Sequence, residues 1–154
     1  MASYRHLSRI AVMQTIFEYE FLSPLDRKGS KVAKLDVNKI LKYNLTQVTD
    51  KISDTSFAEE TLKGVISKKK KIFAIIQENA PEWPVDKIAP VDRAILEIGV
   101  FEIVYAKDIP PVVAINEAIE IAKSYGDTNS PKFINGVLSS VMTIYKKSSV
   151  KVKK

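Results

Sequence analysis

The sequence predicts an all-α fold, a compact bundle of about six or seven helices in two closely packed halves. Three observations predict it. Apolar residues recur at spacings of three and four along most of the chain, the helical period. No stretch alternates apolar and polar residues with period two, and no internal repeat is visible. The segment Pro90–Ala106 is apolar round almost the whole helical wheel, with Val91, Ala94, Ile95, Ile98 and Tyr105 on one stripe and Leu96, Val100, Ile103 and Val104 on a second. A helix of that kind sits inside a bundle. It is too short for a bilayer and is interrupted by Asp92, Arg93, Glu97 and Glu102, so it is not read as a membrane span.

The elements follow in order around this hub. Residues 3–22 predict a first helix, with Ile10, Met13, Phe17 and Phe21 on its buried face and Leu7 and Gln14 beside it. Arg5 and Arg9 stand four apart near its start, both expected to face solvent. Like charges at that spacing repel, and the positive end of the helix dipole adds to the strain. A bound anion relieves this, and so do water and salt. Residues 23–35, with Pro24, Gly29 and Ser30, read as a polar, basic connecting loop. Asp36 is placed to cap a second helix with the face Val37, Ile40, Leu41, Leu45, Val48 and Ile52.

Ser56-Phe-Ala-Glu59 has the spacing of a capping box opening a third helix, whose stripe Leu62, Val65, Ile66, Phe73 and Ile76 runs on to Pro81. Lys68 to Lys71 spread round a full turn, so a solvated helix with one or two stems lying along the surface is expected. The stretch 82–90, with Pro84 and Pro90, has room for a short turn of helix, and Pro90 suits the first position of the hub helix. After Pro110-Pro111 a further helix turns Ile115, Ala118, Ile119 and Ala122 inward and Glu117, Glu120 and Lys123 outward, with Gly126 expected as a left-handed cap. Ser130-Pro131 then opens a last helix, serine capping and proline first, with the core stripe Phe133, Val137, Val141 and Ile144. Gly99 and Gly136 lie inside helical patterns, where each costs about 1 kcal/mol against alanine. Close helix–helix approach is the expected compensation for both.

Composition narrows the function classes. The chain has 154 residues, 45% hydrophobic and 27% charged, which fits one globular domain with a full core. There is no cysteine, so disulfides and thiolate chemistry are excluded. No signal segment opens the chain, and a cytoplasmic protein is expected. The net charge of +6 belongs to the end of the chain: five lysines and no acid lie in residues 146–154, leaving the body at +1. The domain is therefore set at 1–147 and a basic, solvated tail at 148–154.

Catalysis lacks parts. His6 is the single histidine, and no carboxylate cluster has metal-ligand spacing, so neither a metal nor another cofactor is expected. No glycine-rich phosphate loop exists among five scattered glycines. Glu117 and Glu120 share a face, as charges do on ordinary surface helices. What remains is binding. Asp127-Thr-Asn-Ser130 presents a helix N-terminus whose amides attract anions, and Lys132 and Phe133 follow with a charge and a ring. Phe133 also fits plain core packing. Asn116 and Asn135 fall beside buried stripes, where a structural amide tying helices is the default.

Val113-Ala-Ile-Asn-Glu-Ala-Ile-Glu-Ile-Ala-Lys-Ser-Tyr-Gly126, followed by Ser130-Pro-Lys-Phe-Ile-Asn-Gly-Val-Leu138, resembles the signature of the NusB family of transcription antitermination proteins. Ala89-Pro-Val-Asp-Arg-Ala-Ile-Leu96 is similar to the opening of that family's central helix, and Ala11, Gln14 and Phe17 stand in matching register. The likeness is dense over residues 83–141 and thin over 23–57. The same fold also serves as the N-terminal module of a family of RNA cytosine methyltransferases, and the absence of room for a catalytic domain favours the free-standing form.

The resemblance implies a factor that binds boxA-type single-stranded RNA with the ribosomal protein NusE and joins the antitermination complex of RNA polymerase, notably on ribosomal RNA operons. It implies RNA contact by Arg5, His6 and Arg9 of an arginine-bearing first helix, and by Asn129, Lys132 and Phe133. Asp92 and Arg93, at the expected exposed start of the central helix, resemble the partner-facing region. The competing reading is a protein-interaction module, or a homodimer that hides its RNA face, with incidental RNA contact.

Overall fold

The computed structural model describes the backbone of residues 3–26, 36–50 and 54–152, and side chains of 3–21, 36–50 and 54–145. Among the described residues there are seven α-helices, one short 3-10 turn and no strand. The helices are α1 (Tyr4–Asp26), α2 (Val37–Val48), α3 (Ser56–Ser67), α4 (Lys69–Asn79), α5 (Pro90–Val104), α6 (Pro111–Tyr125) and α7 (Ser130–Val152), with the 3-10 turn at Val85–Lys87. None of the described helices is long and apolar enough to cross a membrane. Most of the expected 23–35 loop and Ile52 lie outside the described residues, as do the side chains of the lysine-rich end. The backbone of α1 continues past Leu22 to Asp26, and that of α7 runs on through most of the expected tail.

The chain divides into two units, Met1–Lys63 and Gly64–Lys154. In the first, α1 packs on α2. From Ser8 to Met13 every side chain of α1 is buried, as are Thr15 and Ile16, so the helix has an inner surface broader than the stripe its spacing suggests. Phe21, expected inside, is 65% exposed and stacks on Phe17 at the outer edge of that surface. Asp36 caps α2 as expected, accepting from the amides of Asn38 and Lys39 at 3.1 and 3.3 Å. Leu41 and Leu45 form the buried face of α2 together with Asn44. The Asn44 amide donates to Thr15 Oγ1 at 3.0 Å, and that hydroxyl donates onward to the Ala11 carbonyl at 2.8 Å. A buried polar chain of this kind fixes the register of two helices, because sliding either one strands a donor.

The opening of α3 differs from the expected capping box. Asp54 Oδ1 accepts from the Ser56 amide at 2.9 Å, while the Glu59 amide donates to the Thr55 carbonyl at 3.0 Å. The helix begins one residue early, with Thr55 in the cap position expected for Ser56 and Asp54 before it taking the Ser56 amide. The Ser56 amide holds the Asp54 carboxyl below the usual carboxylate range.

In the second unit α5 is the hub, packing on α4, α6 and α7. Nine consecutive or near-consecutive positions are buried, including Glu97 and Glu102 at 1% exposure. The expected single helix from Ser56 to Pro81 is two helices that turn at Lys68, where φ is −104° and ψ is 14°. Hydrogen bonds from Lys68 N to Gly64 O and from Ile72 N to Lys68 O carry the chain through the bend. The Lys68 and Lys69 ammonium groups sit over the Tyr105 and Phe73 rings at 5.3 and 5.4 Å, whereas Lys70 and Lys71 are exposed. These are the two stems lying along the surface that the lysine run predicts.

The two hub glycines part company. A Cβ on Gly99 would lie 2.6 Å from Leu138 Cδ1, so α5 and α7 approach here as expected. Gly136 is exposed and a Cβ there would meet nothing within 4 Å, so close approach does not account for it. The core stripe of α7 is Ile134, Val137, Leu138 and Val141, with Phe133 half-buried and Ile144 48% exposed. On α6, Ala114, Ile115, Ala118, Ile121 and Ala122 are buried and Ile119 lies at the margin. Asn116 and Asn135, offered as structural amides, are both exposed. Ser140 Oγ instead ties α7 to α4 by donating to Asn79 Oδ1 at 2.6 Å.

Candidate nucleic-acid interface

In the first unit the candidates sit on the opening turns of α1. Ser3 caps the helix, its Oγ accepting from the His6 amide at 3.1 Å and its carbonyl from the Leu7 amide at 3.1 Å. Arg5 is exposed and His6 half-buried, but Arg9 is only 3% exposed. The expectation that both arginines face solvent is therefore corrected. Arg9 stands three and four residues before Val12 and Met13, on the inner surface of α1, and its long stem packs there while its head reaches a ring.

That ring is Phe57, in the first turn of α3. The Arg5 and Arg9 guanidinium carbons lie 4.6 and 5.1 Å from its centroid. The quadrupole of an aromatic face attracts cations, so part of the relief for two like charges at the positive end of a helix comes from inside the fold. Phe57 was not singled out from the sequence. Its one signal is an aromatic residue just off the stripe Ala58, Leu62, Val65, too slight to use without knowing which helix it faces.

In the second unit the candidates gather at the start of α7. Asp127 Oδ1 accepts from the amides of Asn129 and Ser130 at 2.8 and 3.1 Å and from Ser130 Oγ at 3.3 Å, and Ser130 Oγ accepts from the Asp127 amide at 2.9 Å. The Phe133 amide donates to the Asn129 carbonyl at 3.1 Å, so Asn129 holds the cap position expected for Ser130. The expected anion site is thus filled by the chain's own carboxylate. Gly126 has φ −92° and ψ −168°, extended rather than left-handed. A Cβ there would lie 2.5 Å from Ser130 Oγ, so the glycine makes room for this turn.

Asn129 and Lys132 are exposed on this turn and Phe133 is half-buried. An exposed ammonium group attracts anions through its own charge. Asp92, expected at an exposed helix start, is 8% exposed. Burial pushes its carboxyl above the usual range; the Ser130 hydrogen bond opposes this and the Asp127 charge adds to it. The hub helix starts at the surface, with Ala89 and Pro90 exposed, but its Asp92 turns inward to the Ser130 side chain in the first turn of α7. Arg93 is half-buried, its guanidinium 5.7 Å from the Phe73 centroid and donating to the Val85 carbonyl at 3.4 Å. Gln77 holds the same loop, donating to the Trp83 carbonyl and accepting from the Val85 amide, each at 3.0 Å. Among the described residues no group of three or more His, Cys, Asp or Glu side chains is arranged to hold a metal.

Comparison with known proteins places these groups in context. The sequence profile of the NusB family matches residues 6–143. The transcription antitermination protein NusB of Bacillus pumilus is 39% identical over 137 residues, covering 89% of this chain and 93% of that protein. That of Bacillus subtilis is 34% identical over 137 residues, 89% of this chain and 93% of its own length. The NusB structure of T. maritima superposes with a TM-score of 0.72 at 32% identity, covering 93% of each chain. A structure of antitermination factors NusB and NusE in complex with double-stranded RNA shares the fold, with a TM-score of 0.74 at 23% identity over 94% of this chain and 100% of that one.

Proposed function

The chain belongs to the NusB family, and on that premise we propose that it is a transcription antitermination factor. It binds boxA-type single-stranded RNA together with the ribosomal protein NusE and modulates RNA polymerase, notably on ribosomal RNA operons. The observation that carries this reading is the extent of the match, which takes in α1, the hub helix and the start of α7 alike. It acts in the cytoplasm, by binding rather than by catalysis.

Each site residue has a part in the proposal. Arg5 meets phosphate directly from the exposed start of α1, with His6 beside it, and Arg9 contributes charge from its buried position. Lys132 and Asn129 meet the RNA backbone from the start of α7, where Phe133 offers a ring edge to a base. Arg93 belongs to the surface that NusE meets, and Asp92 supports RNA binding indirectly through the first turn of α7.

The test is binding of a boxA-type RNA against a scrambled RNA of equal length at fixed salt, with and without NusE. Preference for the boxA-type RNA, strengthened by NusE, is expected. Equal affinity for both RNAs in the presence of NusE refutes the proposal. Arg5→Ala and Lys132→Ala should each weaken binding to any sequence and flatten the salt dependence by roughly 0.7 in log–log slope, the value for one phosphate on a single strand.

A further inference from the structure

We propose that Phe57 is a positioning residue of the RNA site: its ring holds the Arg5 guanidinium, braced by Arg9, in the place where it meets phosphate. This deepens the RNA-binding reading and rests on it. Two guanidinium carbons lie 4.6 and 5.1 Å from one ring centroid, and the two arginines differ in burial, Arg9 at 3% and Arg5 exposed. A solvated pair of surface arginines would spread apart to lower their repulsion. Here both heads lie against one ring, which offers each charge a fixed partner inside the fold.

The chemistry favours this use of the ring. A cation over an aromatic face is held by its charge, and the contact does not consume an N–H donor. Guanidinium donors lie in the plane of the group and are what binds phosphate oxygens in a forked pair. An arginine side chain has many rotamers to lose, and a ring that restrains it beforehand lowers what binding must remove. Phe57 can do this because its backbone is fixed in the first turn of α3, its carbonyl accepting from Thr61 Oγ1 at 2.8 Å. The first turn of α3 thus joins the first turn of α1 as part of one binding surface.

The experiment replaces Phe57 by leucine and, in parallel, by progressively fluorinated phenylalanines, which keep the shape of the ring while draining charge from its face. Binding of a single-stranded boxA-type RNA is measured across a salt series, with Arg5→Ala as reference and circular dichroism to monitor folding. Phe57→Leu should weaken binding about three- to fivefold, the scale of one exposed cation–π contact, with an unchanged salt slope because no cation has been removed. Affinity should fall stepwise with fluorination, a trend that a purely structural role would not produce. In the Arg5→Ala background the same ring changes should have little further effect. Wild-type affinity throughout the fluorinated series, with Arg5→Ala still weakening binding, overturns the role of Phe57 alone. Unchanged affinity in Arg5→Ala overturns the RNA site beneath it.

Discussion

Replacing Gly99 and Gly136 by alanine, one at a time, should move stability in opposite directions. Both glycines lie in helix interiors, where alanine is favoured by about 1 kcal/mol through backbone entropy. At Gly136 nothing opposes this gain, since a Cβ there meets nothing within 4 Å. Gly136→Ala should therefore stabilise by about 0.5–1 kcal/mol. At Gly99 the new methyl would stand 2.6 Å from Leu138 Cδ1 and 3.0 Å from its Cδ2. Leu138 has 0% exposure, so it has no outward path, and overpacking of this kind costs about 1–3 kcal/mol. Set against the same helix gain, Gly99→Ala should be neutral at best and destabilising by up to about 2 kcal/mol. Urea denaturation followed by circular dichroism reads both, and in a chain of this size 1 kcal/mol moves the melting temperature by about 2–4 °C. Stabilisation by both substitutions would refute the close approach of α5 and α7. Destabilisation by Gly136→Ala would refute the open surface.

Arg9→Ala should lower stability by about 1–3 kcal/mol because it removes a buried stem and a cation from a ring, whereas Arg5→Ala should stay within about 0.5 kcal/mol of wild type. Urea midpoints in the reverse order would contradict the assigned burial. Asp92 has a carboxyl raised above its ordinary 3.8, so the folded state takes up its proton at a higher pH than the unfolded chain does. Its ionisation then opposes folding at neutral pH, and that penalty is relieved as pH falls through the raised value toward 3.8. Asp92→Asn should accordingly be most advantageous to stability near neutrality and lose that advantage on acidification, and a difference independent of pH would sink this account. Thr15→Val leaves the buried Asn44 amide without its acceptor and should cost about 1–3 kcal/mol, with Thr15→Val/Asn44→Leu recovering part of the loss. Strict additivity in that double-mutant cycle would show that the two residues do not depend on each other.

The sequence alone determined the helical class and most of the helix positions. Helical spacing reports on a segment and its immediate neighbours, and proline, glycine and capping residues act over a turn or less. The hub character of α5 was legible for the same reason, since a helix apolar on every side has one place to go. The density of family-like motifs from α5 to α7 made the functional class legible, because such motifs carry information that spacing does not.

Tertiary structure decided which polar residues are inside. Arg9 and Asp92 looked like surface charges because long or charged side chains default to solvent, yet one lies on Phe57 and the other under Ser130. Gly99 and Gly136 have the same local pattern, and only the presence of Leu138 beside one of them separates their roles. In each case the deciding partner is a side chain whose approach depends on how the backbone is arranged in space, and residue spacing does not encode that distance.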